Sequence, residues 1–513
     1  MFDAISVIFE NISPWLKGLY ITSFVLALLA VYIFQKNTRW ALFLLFLSSF
    51  CIGSFSALLD PFLHLWDEQF HALVAKNLAQ DLFTPQLQKD SPIRLDYTNW
   101  SNNEIWLHKP PVALWQMSIF IKIFGNSVFA ARLPMVLMHA FLIFPIYKIG
   151  TTVWKPSIGF FAALIFTFLY YPLSLVSGVQ VAEHIDVTFL FYITGSIACW
   201  LGYRESGKKR WIVLLGLTVG LVILTKWLVG ILVFGGIFTS MILSNQLRFQ
   251  WILWKHALVS VLIAVLVVAP WFLYSAIRFP EEFAYEMEFN TRHFYEVIEN
   301  HSGDSFYYWH NLHTLFGSAY LIPIFVVVSV VSTFKTIRKR EHLYFLLPII
   351  LLPYLFFSMA ATKMPSFLVI VSPLIVLVAV AFVDWTTERV KHFNKRTLLL
   401  NKLSIPLTLL LLLSVHNPKK IMKTHFEDLS IRKQAISRGQ FIQKQRFTSK
   451  NKTILLVNDL EALPFEYIQW MFYHDGIHAY PFFPKDLNWT LLKDYEVYQV
   501  EGEKLTRIQP ESL

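Results

Sequence analysis

Apolar residues along the chain gather in blocks separated by short polar stretches, and many blocks approach the roughly 17–25 residues an α-helix needs to cross a bilayer. The pattern predicts about twelve spans, over 19–34, 40–59, 128–147, 157–176, 187–202, 211–224, 227–243, 257–276, 313–333, 343–361, 366–383 and 398–415. The stretch 211–243 also reads as one long helix broken at Lys226. Within the long polar interval 60–127, helical spacing recurs twice. Phe70, Leu73, Val74 and Leu78 form one apolar stripe; a second starts at Pro110, a favoured first helical position, and runs through Trp115, Ile119 and Ile123. Helices of this kind are expected to lie in the interface plane. After 415 the character changes. An apolar run Thr453–Val457, a helical stretch Phe465–Tyr473 and a short strand Tyr495–Val500 predict a small α/β appendage over 416–513, following a transmembrane domain over 1–415.

Composition fixes the solvent. Of 513 residues, 55% are hydrophobic and 15% charged, with mean hydropathy +0.50, where a soluble domain would carry about a quarter charged residues. The expected fold class is therefore an all-α polytopic membrane protein with interfacial helices in its first large outer loop and a small C-terminal α/β appendage. The net charge of +10 suggests a nucleic-acid partner only until the positions are read. Lys36 and Arg39; Arg204, Lys208, Lys209 and Arg210; Lys335, Arg338, Lys339 and Arg340; and Arg389, Lys391, Lys395 and Arg396 form short clusters between spans. The positive-inside rule produces that placement, so the clusters report orientation, with membrane lipids as neighbours and no nucleic acid. Loops 60–127, 177–186 and 277–312 and both termini then face outward, as expected of a multi-pass protein of the cell (inner) membrane. Lys419 and Lys420 fall outside, which the rule tolerates in a long translocated segment. Cys51 and Cys199 both lie in apolar blocks and imply neither a disulfide nor a metal framework. With Asp3 and Glu10 but no basic residue before Lys17, the start of the chain is a poor signal peptide and is expected to be part of the mature protein.

The outer side carries the residues with chemistry. Asp67 and Glu68 follow the second span closely. Acidic residues at a helix start favour the dipole whatever else they do, and either could also accept a proton from an incoming hydroxyl. Lys109 stands before a proline-initiated helix, where its ammonium and the free N–H groups of the first turn converge, an arrangement suited to a phosphate. A lysine there could equally snorkel to lipid headgroups. Arg132, Arg278, Arg292, Lys226 and Lys363 add further outer-face cations against the charge trend, and Asp186 lies at the mouth of the fifth span. His108, His301, His293 and Glu104 are candidate ligands for a divalent metal, although no tight His/Glu spacing marks a dedicated site.

These residue types fit sugar transfer from a polyprenyl phosphate. The leaving group is then a stable phosphate anion. Glycoside hydrolysis protonates its leaving oxygen with a second carboxyl group, but this transfer needs only a base for the acceptor hydroxyl and cations for the departing phosphate.

The order of short motifs resembles the GT-C superfamily of polyprenyl-phosphate-sugar-dependent glycosyltransferases, in particular the branch of lipid A aminoarabinose transferases and protein O-mannosyltransferases. The matching pieces are Asp67–Glu68, His108–Lys109–Pro110–Pro111, Phe124–Gly125, Arg132–Leu133–Pro134, Gly220–Lys226, Pro270–Trp271–Phe272, His301 with Tyr307–Tyr308, and Lys363–Met364–Pro365. The resemblance implies a GT-C fold, with Asp67, accompanied by Glu68, as the catalytic or acceptor-orienting carboxylate. It implies Lys109 as holder of the donor phosphate; among the neighbouring outer-face residues, His108, Arg132, Asp186, Arg292 and Lys363 are expected to bind substrate. The partners would be a polyprenyl-phosphate-sugar donor and an extracytoplasmic acceptor. Phe70 and His71 stand where aminoarabinose transferases carry an arginine and then a tyrosine, and His108 stands where they carry a glutamate. The acceptor is thus left open. The rival reading is a transporter or flippase of a lipid-linked glycan, which would place charges deep in its spans and repeat its topology.

Overall fold

The structure, a computed structural model, describes residues 2–180, 184–316, 321–337, 339–393, 404–427, 429–447, 452–458, 463–482 and 488–509. Glu183, Arg338, Lys395, Arg396 and parts of the spans predicted over 313–333 and 398–415 lie outside the described residues.

After α1 (Phe2–Asn11), helices α2 (Pro14–Phe34) and α3 (Thr38–Leu58) form a hairpin. Pro14 occupies the first turn, where a missing N–H is harmless. Asn37 caps α3 by accepting from the Trp40 N–H at 3.2 Å. The predicted span 128–147 extends to 153 and divides into α6 (Val128–Phe141) and α7 (Ile143–Val153). The span predicted over 157–176 is bent by 53° between α8 (Pro156–Thr167) and α9 (Tyr170–Val176). Helices α7 and α8 touch through Gly150 and Gly159: a Cβ on Gly150 would lie 2.3 Å from the Gly159 Cα. Next come α10 (Asp186–Ser206) and α11 (Arg210–Lys226), which ends at the break expected there. A 3-10 turn, Trp227–Ile231, leads into α12 (Leu232–Leu243). The long α13 (Trp251–Arg278) exposes Leu258, Leu262, Leu266, Leu273 and Ile277, a face that suits hydrocarbon and not water.

Beyond it, the interval 277–312 contains an unforeseen helix, α14 (Pro280–Tyr295), then the short α15 (Tyr307–His310) and α16 (Leu312–Phe316). The bundle is completed by α17 (Leu321–Thr336), α18 (Arg340–Met359), a 3-10 segment Pro365–Val371, and α19 (Ser372–Phe393). Among the described residues, six helices are long and apolar enough to cross a membrane, or up to seven if the bent α8–α9 pair is one span.

The interval 60–127 holds the helices α4 (Asp67–Leu78) and α5 (Pro111–Phe124). The second keeps Ile119, Ile123 and Phe124 exposed, as an interfacial helix would. The first departs from expectation. Every residue from Glu68 to Leu78 is buried: α5 and the C-terminal helix Glu466–Tyr473 pack on it, Arg132, His184 and the Gln86 carbonyl take up Glu68, His71 and Asn77, and Lys76 reaches carbonyls of the C-terminal part.

That C-terminal part continues from α20 (Ser404–His416) through α21 (Pro418–Met422), a π-turn Lys423–Glu427 and α22 (Leu429–Lys444) to α23 (Glu466–Tyr473). It ends in a four-stranded sheet of β1 (Thr453–Val457), β2 (Ile477–Tyr480), β3 (Glu496–Glu501) and β4 (Lys504–Ile508), in spatial order β2-β1-β3-β4. Strand β1 pairs parallel with β2 and β3, and β4 closes the edge antiparallel to β3. All five residues of β1 are buried, as its continuous apolar run requires of a central parallel strand.

Candidate active site

Asp67, Lys109, Asp186 and Lys226 sit at helix ends. Asp67 is the first residue of α4 and Lys109 closes the loop before α5, whose first turn is opened by Pro111. The Lys109 Nζ lies 3.6 Å from Asp67 Oδ2, with side chains 12% and 14% exposed. The pair is therefore partly open. Trp66, immediately before Asp67, has φ +61° and ψ −128°, a conformation a bulky residue adopts only when its surroundings impose it. Its ring packs on Trp100, with centroids 6.4 Å apart, and edge-on against Phe465 at 5.2 Å.

Glu68 has a different setting. The Arg132 Nε donates to Oε1 at 2.6 Å and Nη2 to Oε2 at 2.9 Å, with side chains 2% and 0% exposed. The remaining Arg132 donors reach the carbonyls of Ala57, Asp60 and Phe62 at 2.7–2.8 Å. The His64 N–H donates to Glu68 Oε2 at 2.6 Å. Gly178, at φ +76°, makes room for this carboxylate: a Cβ there would lie 2.3 Å from Oε2. Burial pushes the Glu68 carboxyl up, but the adjoining guanidinium more than offsets that and leaves it below the ordinary range.

A second ion pair joins Asp186, the first residue of α10, to Lys226, the last of α11. The ammonium donates to the two carboxylate oxygens at 2.7 and 3.0 Å, and Asp186 is 1% exposed. The next residue, Trp227, has φ +59° and ψ −160°, so strain marks both this pair and the Asp67 turn. Its indole N–H points at the His108 carbonyl at 3.4 Å, which links the two pairs. His108 is buried, stacks on Trp100 with centroids 5.1 Å apart, and its Nδ1 lies 3.2 Å from Oε2 of buried Glu286 on α14.

His71 and His184 are both buried, with Nδ1 atoms 3.1 Å apart. Burial, and then His184 and the cations Lys109 and Lys226, hold the His71 imidazole well below its usual range, so it is neutral at physiological pH. Lys363 is buried, and its ammonium donates to the Ala360 carbonyl. The Lys363 backbone N–H donates to the His301 carbonyl at 2.9 Å. Arg292 pairs with Glu296 one turn away at 2.8 Å, both more than a third exposed. Among the described residues, no three His, Cys, Asp or Glu side chains come together in a group that could hold a metal ion. His108 and His301, the candidate ligands, accordingly belong to no such group.

Asp67 with Lys109, and Asp186 with Lys226, thus come together, whereas Arg292 stands apart in its own surface pair. Glu286, Trp227 and the His71–His184 pair went unread. The first two are isolated in sequence and acquire partners only through α14 and the break after α11, and the histidines are 113 positions apart.

The family model described as dolichyl-phosphate-mannose-protein mannosyltransferase matches residues 108–274. Undecaprenyl phosphate-alpha-4-amino-4-deoxy-L-arabinose arabinosyl transferase 2 of Proteus mirabilis is 27% identical over 292 residues, 54% of this chain and 50% of the relative. Undecaprenyl phosphate-alpha-4-amino-4-deoxy-L-arabinose arabinosyl transferase 1 of Pseudomonas fluorescens is 24% identical over 62% of this chain and 55% of its own length. The chain thus spans about half the length of the curated relatives it matches. Among solved structures, ArnT from Cupriavidus metallidurans bound to undecaprenyl phosphate superimposes with a TM-score of 0.62 at 17% identity, covering 85% of each chain. The Archaeoglobus fulgidus oligosaccharyltransferase AglB superimposes with a TM-score of 0.55 at 10% identity, over 91% of this chain and 70% of the other. The chain therefore has the GT-C glycosyltransferase fold and resembles the aminoarabinose transferases and protein mannosyltransferases of that superfamily.

Proposed function

We propose that this protein is a membrane glycosyltransferase that moves a sugar from a polyprenyl-phosphate donor to an extracytoplasmic acceptor (lipid A, another glycolipid, a glycan or a protein) by inverting displacement. The observation that carries this is the partly open Asp67–Lys109 pair, a carboxylate and an ammonium meeting at the starts of two helices. Lys109 takes the donor phosphate, aided by the free N–H groups of the first turn of α5. Once its ammonium is shared with phosphate, Asp67 loses part of its neutralising partner and becomes the better base. The acceptor hydroxyl gives its proton to Asp67, its oxygen bonds to the anomeric carbon, and the carbon–oxygen bond to phosphate breaks. The electron pair leaves on the phosphate, where Lys109 and Lys226 offset the charge. Asp186 holds Lys226, and the Glu68–Arg132 pair holds the turn that presents Asp67.

Sidedness belongs to the same reading. Lys148–Glu205, Lys155–Asp384 and Arg204–Glu341 pairs gather at the opposite end of the bundle, where the basic clusters lie. We place that end in the cytoplasm, with the shorter apolar helices completing about twelve crossings. In a background lacking Cys51 and Cys199, Asp90→Cys and Leu491→Cys should react with a membrane-impermeant thiol reagent in spheroplasts, and Lys208→Cys should not; the reverse pattern would move the site inside.

Purified protein in nanodiscs should transfer sugar from a polyprenyl-phosphate donor and not from the matching nucleotide sugar. Dependence on the nucleotide sugar would remove the lipid-donor reading. Passage of intact lipid-linked sugar across liposomes without transfer would favour the flippase.

A further inference from the structure

We propose that the C-terminal part of the chain is a working component of the active site, clamping α4 at both ends so that Asp67 is held in register with Lys109. The proposal rests on the reading of Asp67 as the base. At 1.5 Å per residue, α4 is about 18 Å long, and it is gripped at three levels.

Ahead of its first residue, the turn after α3 carries Asp60, which is 2% exposed. Its Oδ1 accepts from Arg432 Nε of α22 at 2.6 Å, and its Oδ2 is hydrogen-bonded to His425 Nδ1 of the π-turn and to His64 Nε2 at 3.1 Å. Arg432 Nη2 also donates to the Leu59 carbonyl at 2.8 Å. Around this node Phe62 packs with Ala435 and Leu463 in a small apolar cluster of its own. From the bundle side, Arg132 holds the carbonyls of the same turn. The turn is fixed between one arginine from each part of the chain.

At the first turn of α4, Phe465 sets its ring edge-on to Trp66 and to Phe70, with centroids 5.2 and 5.1 Å apart. Phe465 itself has φ +63°. Two strained aromatic residues therefore brace each other directly beside Asp67.

Near the far end, Lys76 donates to the carbonyls of Met471, Phe472 and His474 at 2.6, 2.9 and 3.1 Å, and pairs with Asp475 at 2.8 Å. An ammonium at the carbonyl end of α23 opposes that helix's negative pole. The two helices are thereby locked end against end.

A part that merely covered α4 would need apolar contact alone. Here directional, buried polar bonds meet the turn before Asp67 and the last turns of its helix, which is how a catalytic group is kept within the narrow geometry that transfer demands.

The test uses the full chain in nanodiscs with a polyprenyl-phosphate sugar. Arg432→Ala and Lys76→Met are each expected to lower kcat by about 10²-fold, as a misplacement near 1 Å can, while KM for the donor changes little. Arg432→Lys, which keeps the charge but loses the fork, should fall between Arg432→Ala and the wild type, and serves alone if the alanine variant does not fold. Unchanged kcat in the folded fraction, with only Tm lowered, would reduce the C-terminal part to a cover and overturn the clamp. Asp67→Asn, assayed alongside, separates the two readings: full activity there removes the base assignment, whereas an inactive Asp67→Asn beside unimpaired Arg432 and Lys76 variants removes the clamp alone.

Discussion

Asp67 and Glu68 are neighbours in the chain, and each meets a cation, yet the two pairs are built for opposite ends. The Glu68–Arg132 region is sealed: side chains 2% and 0% exposed, a two-pronged contact, and the other guanidinium donors spent on backbone carbonyls. The Asp67–Lys109 region is looser, at 3.6 Å, and each side chain keeps more than a tenth of its surface open. On the proposed function, this partly open pair is the one a substrate phosphate divides. A pair desolvated and fully bonded cannot be divided so, because parting it would strand a charge where water does not reach. On that reading, one region keeps its charges for the fold, and the other keeps them for a ligand.

Substitutions should separate the regions in order of effect. Asp67→Asn should lower transfer by about 10²–10⁴-fold, the usual loss for a missing base, with donor affinity and Tm nearly unchanged. Glu68→Gln should act on stability instead, because removing one partner of a buried pair costs about 3–5 kcal/mol, read as a large loss of folded yield and Tm in detergent.

The same contrast has a pH signature. Glu68 is held below its ordinary value, so its contribution to stability is complete above about pH 4.3, the unfolded value, and is lost as pH falls through the folded one. Asp60, which burial pushes up and His425 and His64 bring well below its ordinary value, contributes with the same sign. Tm of the wild type should therefore drop steeply in acid, and Glu68→Gln should flatten that slope, leaving the part due to Asp60.

Lys109→Ala should raise KM for the donor and reduce transfer by about 10²–10³-fold, as loss of a charge-stabilising donor does. Smallest of all, Arg292→Ala removes an exposed pair one turn apart, worth about 0.3–0.5 kcal/mol. Stability should scarcely move. A large rise in donor KM there would show that Arg292 leaves Glu296 for the substrate and would restore it to the site.

The six or seven spans found among the described residues, where about twelve were expected, were legible because hydropathy is written locally along the chain. The break after Lys226 was legible for the same reason, a cation interrupting an apolar run, and β1 because a central parallel strand is apolar throughout. Helix α4 shows the limit. Phe70, Leu73, Val74 and Leu78 announced an apolar stripe, but Lys76 opposite them is buried and bonded to carbonyls some 400 positions away, which no local period can reveal. Strand β2 is four residues long and β4 an edge strand of mixed character, so neither stands out. At the site, Asp67, Lys109 and Lys226 could be singled out from residue type and position. Their pairing could not be, because it depends on how four helix ends converge.

The central claim is that Asp67 takes a proton and does not attack carbon. The anomeric configuration of the product decides this most directly. With a polyprenyl-phosphate sugar of defined configuration and purified wild-type protein, the one-bond carbon–proton coupling at the new anomeric centre should show inversion relative to the donor. Retention would mean an intermediate bonded to the enzyme, and would contradict the role given to Asp67.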